Sequence, residues 1–349
     1  MGAGLSEGRR ARRRIGGPTS MGFDLGGTAS TTAAVFLAVV LFHILLLRWR
    51  KHLPLDHPND RSLHSTPTPR VGGLALIPGL LLGVGALGRG MSVPLGLAAA
   101  LCLFSFLDDR FGLPVVLRLV AHLGAAAVFV GIGGFWGDPR RGIALTLLIV
   151  WGTNLFNFMD GSDGLAGGMA FFGFAAYGAA AFRADGAAGA LAWGVAAGSA
   201  GFLLFNFPPA RVFLGDAGSI PLGFLAVSLG VEGWAKGRWP AWFPALVFAP
   251  FWVDATVTLV RRILRGEPVW RAHRTHYYQR LIQMGWGHRK MALVAYGLMA
   301  ICGVGGLVLL RATAFAQRAS LACGAVGAGV LMADVDRSWR RRAAAGASR

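Results

Sequence analysis

Residues 29–47 read ASTTAAVFLAVVLFHILLL, a stretch without a single Asp, Glu, Lys or Arg. Because about 20 apolar residues in a helix span the hydrocarbon core of a bilayer, this stretch predicts a transmembrane helix. Further apolar segments follow along the chain, and they predict an all-α fold, a polytopic transmembrane helical bundle of about 11 spans. The segments are 29–47, 71–88, 91–107, 115–134, 142–156, 165–182, 187–205, 218–234, 241–260, 291–310 and 317–333.

The composition agrees with a membrane protein. Of the 349 residues, 54% are apolar and only 14% are charged, whereas a soluble domain carries about 25% charged residues. The 52 glycines also fit, since small residues let transmembrane helices approach each other closely. A net charge of +18 would suit a nucleic-acid-binding protein, but the basic residues lie mainly in short loops and at the two ends. We therefore expect the partner of this basic surface to be a lipid bilayer and not a nucleic acid.

The distribution of Lys and Arg predicts the side of the membrane on which each loop lies. If loop 48–70 is cytoplasmic, alternation of the spans places five more segments on the same side, namely 108–114, 154–167, 206–217, 261–290 and 334–349. These six segments contain 20 Lys and Arg residues, and the opposite loops contain 8. The positive-inside rule therefore predicts that this face is the cytoplasmic face of the cell (plasma or inner) membrane.

The predicted division of the chain is an N-terminal tail (1–28), a membrane domain (29–333) and a basic C-terminal tail (334–349). The arginines between positions 9 and 14 would lie on the outer side, which opposes the positive-inside rule. Either this tail is a real and unusual feature, or the protein starts at Met21. The low-complexity character of residues 1–20 favours the second explanation.

Acidic side chains gather at the predicted cytoplasmic face. The chain has only 16 Asp and Glu residues, and five of them end or begin apolar segments on that face. These are Asp108 and Asp109 after the third segment, Asp160 and Asp163 after the fifth, and Asp216 before the eighth. Carboxylates at a hydrocarbon boundary are costly unless they are paired, hydrated or bound to a metal, so their gathering indicates a functional site.

The residue types in this gathering indicate phosphoryl transfer. Carboxylate oxygens suit Mg²⁺, which usually takes one or two carboxylates and completes its shell with water and substrate phosphates. Neighbouring glycines let backbone N–H groups approach an anion, and transfer of a phosphoryl group depends mainly on positioning and charge neutralisation. Each motif alone is weaker evidence, because an Asp-Asp pair is often a solvated helix end and GDAGS is a common turn. Only the combination is specific.

Two basic loops lie on the same face and supply donors for a diphosphate or a sugar. The donors are His273, Arg274 and His276 in loop 261–290, and Arg61, His64 and Arg70 in loop 48–70. Asp254 lies within the ninth apolar segment, where an ionisable residue is a functional candidate. A buried pairing of Asp254 with an arginine of a neighbouring helix is an equally good interpretation.

Five ordered motifs resemble those of the polyprenyl-phosphate N-acetylhexosamine-1-phosphate transferases, also called glycosyltransferase family 4. The resemblance extends over about residues 29–333 and is closest to the branch that starts O-antigen and related surface glycans. The motifs are DHPNDRSLHSTPTPRVGG (56–73), LDDR (107–110) followed by Arg118-Leu119, NLFNFMDGSDGLAGG (154–168), FLGDAGSIPLG (213–223) and RAHRTHYYQRL (271–281).

The resemblance implies a specific reaction. A phosphate oxygen of polyprenyl phosphate, such as undecaprenyl phosphate, attacks the β-phosphorus of a UDP-N-acetylhexosamine-type donor. UMP leaves, and a polyprenyl-diphospho-sugar remains in the membrane as the first intermediate of a cell-surface glycan. The expected cofactor is Mg²⁺, with Mn²⁺ as the second choice. The oligomeric state stays open, with a homodimer as one alternative.

The resemblance also implies roles for individual residues. Asp216 matches the metal position and Asn157 a second proposed ligand, Asp108 and Asp109 match an aspartate pair implicated in catalysis, and Asp160 and Asp163 match carboxylates of the nucleotide-sugar site. We assign catalysis to Asp108, Asp109, Asp160, Asp163, His273 and His276, substrate binding to Arg61, His64, Arg70, Arg118, Asn154 and Arg274, and the metal to Asp216 and Asn157.

The histidine loop departs from one branch of the family. The muramoyl-pentapeptide transferases carry consecutive histidines there, whereas this chain reads His-Arg-Thr-His-Tyr-Tyr at 273–278, which weakens a peptidoglycan role and leaves the sugar open. A multi-pass transporter or a lipid-linked glycan flippase is the alternative from another class. Such proteins place ionisable residues near the bilayer midplane, whereas most of those in this chain lie at one face.

Overall fold

The computed structural model describes residues 25–49, 53–58, 63, 66–86, 88, 91–181, 186–268 and 273–347. Over these residues the fold is all-α, as predicted, apart from one short β-pairing. The helices are α1 (Leu25–Arg48), α2 (Gly72–Gly85), α3 (Val93–Phe111), α4 (Val115–Ile132), α5 (Pro139–Phe158), α6 (Leu165–Ala181), α7 (Gly186–Asn206), α8 (Asp216–Ala235), α9 (Trp242–Val247), α10 (Ala249–Leu264), α11 (Tyr277–Leu281), α12 (Gly287–Leu309) and α13 (Ala314–Ala347).

Each predicted apolar segment is helical in the structure. The segment 241–260 is divided into α9 and α10, because the backbone leaves helical geometry at Phe248 (φ −99°, ψ 11°). Among the described residues, five stretches are long and apolar enough to cross a membrane: Gly26–Arg48, Val115–Ile132, Gly186–Asn206, Tyr277–Leu309 and Ala314–Arg342. The molecule is therefore a polytopic membrane protein, and the count of eleven spans stays a prediction.

Helix α8 lies at the centre of the bundle. It packs against α2, α3, α5 and α6, and most of its side chains are buried. The small residues of its sequence, DAGSIPLGFLAVSLGVEGWA, allow neighbouring backbones to come close, since within a membrane packing and not the hydrophobic effect drives helix association. Asp216 is the first residue of α8, so the central helix carries this carboxylate at its end.

A short β-pairing connects two of the loops on the predicted cytoplasmic face. Strand β1 (Leu55–Asp56) pairs antiparallel with β2 (Thr68–Pro69), and Arg70 forms a parallel bridge with Phe213. The Gly72 N–H then donates to the Phe213 carbonyl at 2.9 Å, and the Gly73 N–H donates to the Leu214 carbonyl at 2.9 Å. This ladder fixes residues 54–56 and 68–70 beside the segment that leads into α8.

Two glycines allow the start of α2 and the start of α8 to come together. A Cβ atom at Gly73 would overlap the backbone of Ala217 and Gly218. Gly215 has φ 70° and ψ 171°, a region of backbone space that is essentially restricted to glycine. Both glycines therefore position Asp216.

The C-terminal segment continues the last helix of the bundle. Residues 334–349, predicted to be a basic tail, are helical as far as Ala347, so that α13 is one helix of 34 residues. At a rise of 1.5 Å per residue this helix is about 51 Å long, whereas the hydrocarbon core is about 30 Å thick. Its last turns extend beyond the membrane and contact α11.

Candidate active site

Five of the six segments that charge counting placed on one side are joined by contacts in the structure. In the sixth segment, 108–114, Asp109 lies within electrostatic range of Arg70 and Asp216. The contacts connect the five segments in pairs over long separations in sequence. The contacts are Arg70 Nη2 to Asp216 Oδ1 at 3.5 Å, His288 Nε2 to the Leu63 carbonyl at 2.9 Å, the Ala210 N–H to Asp163 Oδ2 at 3.0 Å, Tyr278 OH to the Phe158 carbonyl at 3.3 Å, and Arg280 Nη1 to Asp336 Oδ1 at 2.8 Å.

Arg70 is the cation around which most of the carboxylates gather. Besides its contact with Asp216, its Nη1 lies 3.9 Å from Asp56 Oδ1. Burial lowers the pKa of Arg70, but Asp216, Asp109, Asp56 and Asp160 together raise it above its usual value. Arg70 therefore keeps its positive charge among these four carboxylates.

Asp108 and Arg118 form a second corner of the site. Asp108 is buried in the last turn of α3, where its Oδ1 accepts a hydrogen bond from the Leu113 N–H at 2.8 Å. Its Oδ2 lies 3.4 Å from Arg118 Nε in the first turn of α4. Asp109, the next residue, is exposed and lies within electrostatic range of Asp216 and Arg70.

Asn154 lies deeper, between α4 and α5. Its Nδ2 donates to the Val150 carbonyl at 2.7 Å and lies 3.4 Å from Nδ1 of His122. His122 is buried one helical turn from Arg118. Asn154 therefore lies next to the Arg118 corner, on the apolar side of the carboxylates.

Asn157 lies at the end of α5 and Asp216 at the start of α8, and Ser219 of α8 connects the two helices. The Ser219 hydroxyl donates to Asn157 Oδ1 at 2.7 Å, so the end of α5 is fixed against the first turns of α8. A backbone hydrogen bond from Gly215 reaches Asp160 in the loop between α5 and α6. The predicted metal ligands and Asp160 are thus held around the start of one helix.

Among the described residues, the cluster contains more negative than positive charge. It combines Asp56, Asp108, Asp109, Asp160 and Asp216 with Arg70 and Arg118. Withdrawal from water raises the pKa of Asp160 well above its usual range, Arg70 lowers it, and Asp216 and Asp56 raise it further. A carboxylate whose ionisation is opposed in this way is stabilised by a nearby cation.

The donor atoms of this cluster fit Mg²⁺. Asp216 and Asn157 provide oxygen ligands, which a hard divalent cation prefers. In the part of the chain that the structure describes, no group of three or more His, Cys, Asp or Glu side chains is arranged to hold a metal ion. Mg²⁺ that binds together with substrate phosphates usually takes only one or two carboxylates from the protein.

Asp254 organises the histidine loop from within α10. Its two carboxylate oxygens accept the N–H groups of Tyr277 at 2.9 Å and Tyr278 at 3.0 Å, and Thr258 donates to it at 3.2 Å. His276 Nδ1 lies 3.4 Å from Asp254 Oδ1. Of the two interpretations of Asp254, pairing with an arginine does not occur among the described residues. Asp254 instead holds the start of α11 and His276.

His273 and Arg274 lie at the outer side of this loop. The His273 ring centre is 4.9 Å from that of His276, and Thr275 Oγ1 lies 3.0 Å from its Nδ1. Burial, together with His276 and Arg262, lowers the pKa of His273 to about 4, so its ring is neutral near pH 7. Arg274 is exposed, and between its guanidinium and the carboxylate cluster the described residues show no contact.

Asp163 contacts a different group of residues from Asp160. Besides the Ala210 N–H, its neighbour is His288, whose Nδ1 lies 3.8 Å from Asp163 Oδ1 and 3.0 Å from Ser162 Oγ. His288 also reaches the Leu63 carbonyl, so it connects the loop after α5 to loop 53–70. The predicted catalytic role of Asp163 stays a prediction, and the contacts describe a residue that braces this loop.

Two predicted residues, Arg61 and His64, lie outside the described residues. The structure in turn adds residues that the sequence argument missed, chiefly Asp56, Ser219 and His288. Asp56 is the first residue of the DHPND stretch (56–60), and a carboxylate in a motif on this membrane face is a signal that could have identified it. Ser219 and His288 carried no such signal, because a serine in a small-residue helix and a histidine in a basic loop are common.

Comparison with known proteins places the chain in a family. The model of Glycosyl transferase family 4 matches residues 91–233. A probable undecaprenyl-phosphate N-acetylglucosaminyl 1-phosphate transferase of Bacillus subtilis is 31% identical over 280 residues, covering 74% of this chain and 78% of the relative. The chain belongs to glycosyl transferase family 4.

Two other known proteins are also similar to the chain. Decaprenyl-phosphate N-acetylglucosaminephosphotransferase of Mycobacterium leprae is 32% identical, covering 71% of this chain and 75% of the relative. Undecaprenyl-phosphate alpha-N-acetylglucosaminyl 1-phosphate transferase of Escherichia coli K12 is 28% identical, covering 78% of this chain and 82% of the relative. The matched region 91–233 contains Asp108, Asp109, Asp160 and Asp216, four of the five carboxylates of the cluster.

Proposed function

We propose that this protein transfers a sugar 1-phosphate from a UDP-sugar to a polyprenyl phosphate, releasing UMP and leaving a polyprenyl-diphospho-sugar in the membrane. The observation that carries the proposal is the cluster of carboxylates and arginines at the ends of α3, α5 and α8, on one face of a membrane bundle. The relatives are named for the transfer of N-acetylglucosamine 1-phosphate to undecaprenyl or decaprenyl phosphate, which supports the same reaction class.

Asp109 is the proposed contact for the lipid phosphate. Asp108 is already engaged by the Leu113 N–H and lies beside Arg118, whereas Asp109 is exposed at the same helix end. An exposed carboxylate that accepts a proton from the attacking lipid phosphate would act as a general base. A carboxylate that only orients the lipid phosphate would be a positioning group. Arg118 and Arg70 would counter the negative charge of the two substrates as they come together.

Asp216 and Asn157 are the residues that would hold Mg²⁺. The bound ion would supply positive charge to the diphosphate of the donor, which lowers the repulsion between that group and the incoming lipid phosphate. Asp160 and His276 would complete the polar wall of the site. The pKa of Asp160 is raised by burial, so this carboxyl group ionises less readily than an exposed one. Oxygen-only ligands suit Mn²⁺ as well as Mg²⁺, so Mn²⁺ is the alternative ion for the same site.

The proposed donor is a UDP-N-acetylhexosamine, with UDP-N-acetylglucosamine first because three relatives are named for that sugar. The product would be the first membrane intermediate of a surface glycan, and a role in O-antigen synthesis is one form of this proposal. We further propose that the site faces the cytoplasm, where UDP-sugars are made. The proposal includes no fixed oligomeric state. A homodimer is one alternative, and measurement of the mass of the protein in detergent would distinguish it from a monomer.

Release of UMP tests the proposed function directly. The purified full chain in detergent is given undecaprenyl phosphate, Mg²⁺ and, in separate reactions, several UDP-N-acetylhexosamines. UMP and a radiolabelled lipid diphosphate should appear in equal amounts with at least one donor, and omission of the lipid phosphate should abolish both.

A matched pair of variants controls this assay. Asp109→Asn should lose most of the activity, and Asp334→Asn, an exposed carboxylate on α13, should retain it. If no donor yields UMP from well-folded protein with Mg²⁺ and lipid phosphate present, the proposed function is wrong.

A further inference from the structure

The end of α13 carries a carboxylate in an unusual setting. The apolar part of this helix ends near residue 333, and most side chains beyond it are exposed. Asp336 is the exception, since it is only 9% exposed. A buried carboxylate on a helix that otherwise faces solvent requires partners, and these come from α10 and α11.

Asp336 binds two arginines and a tyrosine. Its Oδ1 accepts a hydrogen bond from Arg280 Nη1 at 2.8 Å, and its Oδ2 pairs with Arg261 Nη1. The Tyr277 hydroxyl lies 3.4 Å from the same Oδ2. Arg280 is also buried, and its guanidinium lies 4.8 Å from the ring centre of Tyr277. The geometry of Arg280 is therefore set by Asp336.

Arg280 in turn holds the backbone next to His276. Its Nε donates to the Thr275 carbonyl at 2.8 Å, and Thr275 directly precedes His276. On the other side of the loop, Asp254 holds the N–H groups of Tyr277 and Tyr278. His276 is thus fixed from one side by a carboxylate of α10 and from the other by an arginine that depends on α13.

We propose that Asp336 is a positioning residue for His276, and that the C-terminal end of α13 is thereby part of the active-site framework. The inference rests on the proposed function, in which His276 forms part of the polar wall of the active site. Loss of the Asp336 charge leaves Arg261 and Arg280 without a shared counter-charge, and an uncompensated buried cation moves or takes another partner. Arg280 then no longer fixes the Thr275 carbonyl.

Turnover by Asp336→Asn is the first test, with Asp334→Asn as the matched control on the same helix. The kcat for UMP release should fall about tenfold, because small misplacements of a site residue lower turnover strongly. Asp336→Glu keeps the charge and should recover part of the loss. Arg280→Lys keeps a cation beside Asp336 but removes the Nε bond to Thr275, and it should also lower kcat.

Combination with His276→Gln separates positioning from general destabilisation. If Asp336 acts through His276, the double variant should be as active as His276→Gln alone, since coupled residues do not lose activity additively. If the two losses multiply, Asp336 acts elsewhere and the proposal is overturned. Equal turnover of Asp336→Asn and Asp334→Asn would overturn it as well.

Hydrogen exchange provides a readout that does not depend on activity. In detergent, the amides of residues 276–281 should exchange about tenfold faster in Asp336→Asn than in Asp334→Asn, while those of α8 stay unchanged. Unchanged exchange at 276–281 would show that α13 does not hold the loop. If the wild-type protein releases no UMP, the proposed function fails, but the exchange experiment still decides whether Asp336 fixes this loop.

Discussion

At the scale of single residues, the described part of the site has fewer positive than negative charges. Among the described residues, Arg70 and Arg118 are the arginines that act on the cluster, and they face five carboxylates. Such a group is stable when water, a cation or protons compensate the excess. Asp216 matches the metal position of the family's motif, and Ser219 of the same helix binds Asn157, the second proposed ligand; it is therefore the residue expected to hold the cation.

Asp216→Asn should lower UMP release by at least about 100-fold while the protein still folds and inserts, because a neutral amide is a weaker ligand for Mg²⁺ than a carboxylate. The measurement is turnover as a function of Mg²⁺ concentration. The deficit should be largest at limiting Mg²⁺ and partly relieved at high Mg²⁺. Near-normal turnover of the variant at limiting Mg²⁺ would show that Asp216 is not the metal ligand.

Arg70→Ala should move the acid limb of the pH–rate profile to higher pH. Burial raises the pKa of Asp160, and Arg70 is the neighbouring cation that lowers it. Without Arg70 the pKa of Asp160 rises further, so a larger fraction is protonated at a given pH and turnover on the acid side falls first.

The Arg70 experiment compares kcat/KM between about pH 5 and pH 9, the range in which a carboxyl with a raised pKa titrates. Arg110→Ala is the matched control, because Arg110 is an exposed neighbour at the end of α3. A profile of Arg70→Ala that coincides with that of Arg110→Ala would contradict the claim that Arg70 keeps the carboxylates of the cluster, Asp109 and Asp160 among them, ionised.

At the scale of elements, the approach of α2 to the start of α8 places the carboxylate cluster. The ladder from Arg70 to Gly73 runs along Phe213 and Leu214, and Gly215 then turns the chain into α8. Because these are backbone contacts, side-chain substitutions nearby should affect the site less than substitution of the glycines.

Gly215→Ala should lower both stability and activity. Its backbone geometry (φ 70°, ψ 171°) costs an alanine about 1–3 kcal/mol, and relief of this strain displaces Asp216 and the N–H that binds Asp160. We expect at least a tenfold loss of turnover and a lower thermal midpoint in detergent.

The control for Gly215 is Gly124→Ala, in α4, where a Cβ atom would meet nothing within 4 Å. This variant should be as stable as the wild type or slightly more so, since alanine is favoured over glycine inside a helix by about 1 kcal/mol. Equal behaviour of the two variants would contradict the claim that Gly215 sets the geometry of the site.

The sequence predicted the helices and the shared face of the carboxylates because both follow from patterns along the chain. Apolar stretches of the right length identify helices, and alternation of the spans then places Asp108, Asp160 and Asp216 on one side. The role of Asp254 was left open, because its partners belong to a loop more than 20 residues away. Asp336 was assigned to a tail, since a charged residue after an apolar segment is normally solvated.

At the scale of the whole molecule, α13 connects the membrane region to the site. Its length of about 51 Å exceeds the hydrocarbon thickness by about 20 Å, and the excess reaches back to α11. The contacts of Asp336 with Arg261 and Arg280 place this end on the same face as the carboxylate cluster. The side of the membrane on which the end of α13 lies is therefore also the side on which the carboxylate cluster lies.

The C-terminal end of α13 should lie in the cytoplasm, because the face that carries it has 20 Lys and Arg residues and the opposite loops have 8. A fluorescent protein that folds only in the cytoplasm should be bright when fused after Ala347 and dark when fused after Lys236, in the loop between α8 and α9. Alkaline phosphatase, which is active only outside, should give the opposite result at both positions. Since Asp336 ties α13 to the site, phosphatase activity after Ala347 would place the carboxylate cluster outside, where UDP-sugars are not made, and would exclude the proposed reaction.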